Sequence, residues 1–365
     1  MTMRVGMICP YSLSSPGGVQ EQVLSLARVM RGRGVDVRVL APCDGPPPDT
    51  GITTLGSSLP TAANDSIAPI APDLPAQVRL IKALWNEEFD LLHLHEPLAP
   101  GIGITTVLMQ AAPMIGTFHA AGRSSAYRWI NRGCRSLRGR LDLACAVSEE
   151  AEALASRWLG GTYERVFNGI DVDRFARASP TPTDRPTILF LGRHDERKGL
   201  QVLLEAARGL GDDVRLWVAG DGELTMSLKA SCRDDERIEW LGRISDDDKR
   251  SRLAGASVVC APSLGGESFG IILLEAMAAG TPIVATSIDG YAQVTRDGAD
   301  ATLVPPGDPS ALRSALESAL TGSAEVETRV RSGRKRADEF SMEALADLYL
   351  EKYERVLCQR RSGRR

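Results

Sequence analysis

No uninterrupted run of 18 apolar residues occurs anywhere in the sequence, which excludes a hydrophobic membrane-spanning helix. Near the first residues there is also no apolar core followed by a small-residue cleavage site, so the expectation is a cytoplasmic chain. The seven cysteines (Cys9, Cys43, Cys134, Cys145, Cys232, Cys260 and Cys358) never form Cys-x-x-Cys. That argues against a disulfide framework or a zinc site and reads them as small buried hydrophobes. Charge of one sign is missing too: 43 basic and 47 acidic residues leave a net charge of −4, which does not suit a general nucleic-acid binder. Histidines number only four. His93 and His95 sit together at a strand end beside Glu96, but no further ligand set accompanies them, so no metal is expected.

What is present is a strand–loop–helix rhythm. Short runs rich in Val, Ile and Leu cover residues 4–9, 35–41, 90–94, 113–118 and 141–147, with helical stretches at 19–31, 75–86 and 149–159. After a polar, Pro-rich break at 176–186, a second series of strands follows at 187–192, 214–219, 238–241, 257–261, 282–285 and 301–304. Helices fall between them and at 309–320, 325–339 and 342–358. Buried strands alternating with helices predict two Rossmann-like, doubly wound α/β domains of roughly 150 residues or more each. The first spans 1–175 and the second 186–340, with the helix at 342–358 after them. Ligands of such sheets bind outside the carboxyl ends of the strands, so an interdomain cleft is the expected site. Residues 43–75, dominated by Gly, Pro, Ser and Thr, read as long loops with at most a short strand.

The dinucleotide fingerprint G-x-G-x-x-G is absent after the first strand, where Pro16, Gly17, Gly18, Val19 and Gln20 stand instead. Gly220 and Gly222 begin such a pattern, but Thr225 takes the third place. The Gly17–Gly18 pair precedes a helix and lets backbone N–H groups approach a phosphate, although a plain tight turn reads the same way. In a second segment, Arg193 and Lys198 follow the first strand of the second domain, where they could neutralise a diphosphate; Arg197 reads as part of a solvated loop. A third segment runs from Pro262 to Pro282, with Glu267 near a helix start and Glu275 inside the helix, seven residues between them. The first carboxylate is placed to grip sugar hydroxyls and the second to accept both hydroxyls of a ribose. N–H groups around Ser268, Phe269, Gly270 and Ile271 would meet a phosphate between them. His119 follows a strand end and is either a satisfied structural histidine or a ligand to the transferred group.

Together Gly17–Gln20, the run Phe167-Asn168-Gly169-Ile170-Asp171, Gly192-Arg193 with Lys198, and Glu267-x7-Glu275 resemble glycosyltransferase family 4, retaining enzymes of the GT-B fold. Further runs, Cys9-Pro10-Tyr11-Ser12, His95-Glu96-Pro97, Thr117-Phe118-His119 and Leu264 to Ile271, are similar to the actinobacterial members that mannosylate phosphatidylinositol. The resemblance implies a metal-independent hexosyltransferase using GDP-mannose, in which the final helix at 342–358 packs back on the first domain. Arg193, Lys198 and the Gly18 N–H would bind the diphosphate, Glu275 the ribose, Glu267 the mannose hydroxyls, and Arg243–Ile244 would lie against the base. His119 would touch the transferred sugar, and His119, Glu267, Arg193 and Lys198 would form the catalytic set. On the acceptor side the resemblance implies Tyr11, Gln20, Asn64 and Arg123.

That side also departs from the family. Pro69 stands where a basic residue of the inositol-phosphate pocket is expected, and Ala120 and Ala121 follow His119 in place of hydroxyl residues. The helix at 75–86 carries only Arg79 and Lys82 as cations, while Leu84 and Trp85 read as core-facing. Other basic residues gather at Arg329, Arg331, Arg334, Lys335 and Arg336 and in the last residues, read as a solvated end or as contact with an anionic surface. The expected partners are therefore a nucleotide sugar, an inositol lipid and the anionic inner face of the plasma membrane, for a monomer or weak oligomer. Three alternatives stay open: another donor or a soluble or natural-product acceptor within the family, a non-hydrolysing sugar-nucleotide epimerase, and a sugar-nucleotide-binding protein without turnover.

Overall fold

The computed structural model describes residues 2–15, 17–63, 66–120, 133–267 and 269–362. It divides into two units, one made of residues 1–169 and 342–365, the other of residues 170–341.

In the first unit the strands are β1 (Arg4–Ile8), β2 (Asp36–Ala41), β3 (Ile52–Thr54), β4 (Leu59–Ala63), β5 (Ser66–Ile70), β6 (Leu91–His95), β7 (Met114–Phe118), β8 (Leu143–Ala146) and β9 (Glu164–Arg165). All but β4 and β5 form one parallel sheet in the order β3-β2-β1-β6-β7-β8-β9. Its central strands are apolar on both faces because helices cover both, as a parallel sheet requires. Those helices include α1 (Gly18–Gly32), α2 (Leu74–Asn86), α3 (Ile102–Met109), α4 (Gly133–Arg138) and α5 (Glu149–Leu159). Helix α1 shows the pattern that holds them: Val23, Leu26, Ala27 and Met30 recur at helical spacing and are buried. The chain runs outward from β1 through β2 and then crosses to β6 on the other side. The carboxyl ends of β1 and β6 thus flank a topological switch point.

The second unit repeats the plan with β10 (Thr187–Leu191), β11 (Arg215–Ala219), β12 (Ile238–Gly242), β13 (Val258–Ala261), β14 (Ile283–Thr286) and β15 (Thr302–Val304), parallel in the order β12-β11-β10-β13-β14-β15. Its switch point lies between β10 and β13. Its helices are α6 (Val172–Ala176), α7 (Leu200–Ala207), α8 (Thr225–Ser231), α9 (Asp246–Gly255), α10 (Ile271–Ala279), α11 (Asp289–Val294), α12 (Pro309–Leu320) and α13 (Ala324–Glu339). The last helix, α14 (Met342–Ser362), belongs to the first unit.

Four details differ from the sequence expectation. Residues 43–75 are not merely loops: β3 joins the sheet, and β4 and β5 form an antiparallel ribbon in which Pro60 faces Pro69. A two-stranded ribbon has no central strand, so it tolerates prolines that would break a sheet interior. Residues 170–175 belong to the second unit rather than the first, because α6 packs on α9 and α10 and buries Phe175 there. Helix α14 runs on to Ser362, anchored by wholly buried Tyr349 and Tyr353. Finally, Leu84 is buried at 4% exposure, but Trp85 is 68% exposed, one position further round α2 and on its solvent side.

Candidate functional site

Each switch point gathers chemistry-bearing side chains. In the second unit, β10 ends into Arg193, Asp195, Arg197 and Lys198, and β13 ends into the loop that carries Glu267. Asp195 accepts the Lys198 backbone N–H at 3.0 Å and caps a single 3-10 turn, Glu196–Lys198. Gly199, at φ +68°, then turns the chain directly against β13: a Cβ there would lie 2.0 Å from the Pro262 carbonyl oxygen. This close approach brings Lys198 Nζ to 2.7 Å from Glu267 Oε1. Arg197 Nη1 meets the same oxygen at 3.0 Å and also donates to the Gly266 carbonyl at 2.6 Å. The reading of Arg197 as a solvated loop residue is thus corrected, since its guanidinium holds the glutamate that the sequence singled out. Arg193 is more open and lies 3.4 Å from Asp195.

Beyond Glu267 the chain enters α10 at Gly270, whose φ of +65° turns it tightly onto Tyr291, and no side chain caps the helix. The first turn of α10, from Ile271, therefore begins with backbone N–H groups directed toward the Glu267 loop. Phe269 is buried and packs edge-on to Phe340 with centroids 5.4 Å apart, so its side chain anchors the loop. Ser268 lies outside the described residues. Glu275 is buried within α10 and accepts from Lys249 Nζ at 2.7 Å, a partner on α9 that the sequence did not single out. Lys249 also lies 5.5 Å from the Phe175 ring centroid. At the end of β12, Arg243 is 86% exposed and 3.9 Å from Asp221, while Ile244 is half-buried.

In the first unit, β1, β6 and β7 deliver Tyr11, His95–Glu96 and His119 to the same end of the sheet. The Gly17–Gly18 pair opens α1 there without a side-chain cap. His93 is fully buried inside β6, with Nδ1 2.7 Å from the Tyr353 hydroxyl and Nε2 2.8 Å from Thr117 Oγ1. His95 packs beside it, ring centroids 4.3 Å apart, and its Nδ1 lies 2.9 Å from His119 Nε2. Burial depresses all three histidines, His93 to about 3, His119 to about 4 and His95 well below the usual range, so all are neutral near pH 7. Glu96, at φ +48°, accepts the His119 backbone N–H at 2.6 Å and the Ala120 N–H as well. Sequence reasoning gave Glu96 no role. The available signal was its position directly after a strand end bearing two histidines.

Tyr11 pairs its backbone with Ile70 of β5, and burial together with the nearby Glu96 charge pushes its phenol well above the usual range. The buried amide of Gln20 donates to the Ser15 carbonyl at 3.2 Å and toward Ser12, so its nitrogen is committed to the loop before α1. Arg79 is likewise committed, donating to the Leu55 carbonyl at 2.6 Å. Asn64 and Arg123 lie outside the described residues. Cys9, Cys43, Cys145 and Cys260 are buried, whereas Cys358 is exposed.

Comparison with known proteins matches this layout. The family model "Glycosyltransferase Family 4" matches residues 16–174, and "Glycosyl transferases group 1" matches residues 185–322. A phosphatidyl-myo-inositol mannosyltransferase of Mycobacterium leprae is 39% identical over 370 residues, 97% of either chain. A D-inositol 3-phosphate glycosyltransferase of Xylanimonas cellulosilytica is 27% identical, covering 94% of this chain and 93% of that one. Among solved structures, Anabaena HepE in complex with UDP superposes with a TM-score of 0.76 at 18% identity over 97% of this chain and 100% of that one. Sucrose-phosphate synthase from Thermosynechococcus elongatus gives 0.72 at 19% identity, with coverage of 98% and 100%. With one glycosyltransferase model on each unit and a curated relative aligned along nearly its whole length, the chain belongs to glycosyltransferase family 4 and has the two-domain GT-B fold.

Proposed function

We propose that the protein transfers mannose from GDP-mannose to the inositol ring of phosphatidylinositol with retention at the anomeric carbon. The observation that carries this reading is the 39% identity, over 97% of both chains, to a phosphatidyl-myo-inositol mannosyltransferase. The geometry of each unit supports it.

The C1–O bond to the diphosphate breaks, an inositol hydroxyl oxygen bonds C1 on the same face, and the hydroxyl proton leaves on the departing phosphate oxygen. Negative charge grows on the diphosphate as this happens, so fixed cations and helix N-termini count most in the transition state. Arg193, Lys198 and the uncapped start of α10 in the second unit are the groups assigned to it. Their charge makes a divalent ion unnecessary on this reading. Glu267 would exchange its bonds to Lys198 and Arg197 for mannose hydroxyls, leaving both cations for the phosphates. Glu275, paired with Lys249, would receive the ribose. His119 would meet the transferred sugar.

A lipid acceptor requires contact with a membrane surface. Among the described residues no helix is long and apolar enough to cross one. Helix α2 instead exposes Leu74, Val78 and Trp85 in a stripe at helical spacing, with Lys82 alongside. Such a face enters the headgroup region largely through apolar area, since Arg79 is held by Leu55. The test is incubation with GDP-mannose and phosphatidylinositol vesicles in excess chelator, the product read by mass spectrometry and its anomeric configuration by NMR. An α-mannosyl lipid is expected. Transfer only to free inositol phosphate, only from another nucleotide sugar, or only with added Mg²⁺ or Mn²⁺ would overturn the corresponding part.

A further inference from the structure

The contact between His95 and His119 carries an assignment beyond the family resemblance. Two neutral imidazoles 2.9 Å apart share one proton between His95 Nδ1 and His119 Nε2. If the proton sat on His119 Nε2, the other nitrogen of His95, Nε2, would be an N–H. That atom is buried and has no hydrogen-bond partner among the described residues. An orphaned buried donor is costlier and rarer than a bare buried lone pair. The proton therefore belongs on His95 Nδ1, which donates to His119 Nε2 and leaves the proton of His119 on its Nδ1.

The surroundings hold this arrangement in place. Both nitrogens of His93 are engaged, by Tyr353 and Thr117, so its ring is a fixed floor 4.3 Å beneath His95. Glu96 holds the backbone of His119 and Ala120, and the bond to His95 Nδ1 holds the His119 ring. We propose that His95 is a positioning residue for glycosyl transfer, holding His119 in the tautomer that presents its Nδ1–H as a hydrogen-bond donor to the transferred sugar. This rests on the reading above only in naming the sugar as the recipient. The tautomer itself is a property of the protein alone.

With only four histidines in the chain, their ring nitrogens can be assigned in the full-length, ¹⁵N-histidine-labelled protein by long-range ¹H–¹⁵N correlation. His119 should show a protonated Nδ1 and a bare Nε2 at pH 7.5. In His95→Phe the His119 signals should move toward the other tautomer, and kcat for mannose transfer should fall about tenfold, the scale of one hydrogen bond, with donor KM within about twofold. His95→Asn, whose amide N–H can stand where Nδ1 stood, should restore most of kcat. A proton on Nε2 of His119 in the wild type overturns the proposal whether or not the variants fold. So does His95→Phe with unchanged tautomer and kcat. Absence of mannose transfer in the wild type would instead refute the proposed function, and the tautomer measurement would still decide the role of His95.

Discussion

The buried histidines make the first unit sensitive to mild acid, and the size of the effect can be worked out. His93 and His95 are 0% and 2% exposed, and burial holds both in the neutral form, His93 down to about 3 and His95 well below its usual range. In the unfolded chain each titrates at about 6.5. The unfolded state therefore binds more protons than the native state below that value, and stability falls with pH. The contribution is fully present above about pH 6.5 and is lost progressively as pH drops toward the folded value. At pH 5 each histidine costs about 2 kcal/mol relative to pH 8, because the unfolded chain gains nearly a full proton over 1.5 pH units. Two of them cost about 4 kcal/mol, a large share of the stability of an ordinary domain. Most carboxylates stay ionised in both states down to pH 5, so this window isolates the histidines.

Urea unfolding at pH 8, 7, 6 and 5, followed by fluorescence, should show stability declining below pH 6.5. A His93→Gln variant should be weaker throughout, because it leaves Tyr353 and Thr117 poorly matched, but should lose about 2 kcal/mol less between pH 8 and pH 5. A wild type whose stability is flat from pH 8 to pH 5, or a variant with an undiminished slope, would refute the claim that these rings are neutral and buried.

Three other outcomes are expected. Glu267→Gln should keep the fold and lower kcat about 10²–10³-fold, the scale of one transition-state contact, and kinetics like the wild type would leave the carboxylate as no more than a partner of Lys198 and Arg197. Gly199→Ala should destabilise the second unit by more than about 1 kcal/mol in denaturant titrations, since its φ of +68° and the 2.0 Å approach to the Pro262 carbonyl leave no room for a methyl; an unchanged midpoint would show that the turn relaxes freely. Trp85→Ser should weaken binding to phosphatidylinositol vesicles in co-sedimentation while leaving the unfolding midpoint unchanged, because the ring is 68% exposed; equal binding would remove α2 from the contact.

The alternation of apolar strands and amphipathic helices in both halves, the glycine-led helix starts, and the placement of Arg193, Lys198, Glu267 and His119 after strand ends were all readable from the sequence. Each of these depends on local periodicity or on a few neighbouring residues, and hydrophobic burial enforces such patterns residue by residue. The β4–β5 ribbon escaped because its strength comes from pairing between Leu59 and Ile70, not from β propensity in a stretch rich in proline and glycine. Trp85 and Leu84 could not be told apart either, since one position of rotation on α2 separates buried from exposed. The partners at the site lay further out of reach. Lys249 meets Glu275 across 26 positions, His95 meets His119 across 24, and Lys198 meets Glu267 only because a glycine turn docks on a strand far along the chain. Which charges and rings touch is decided by strand order and helix packing, and those follow from the whole fold burying its core at once, not from any one segment.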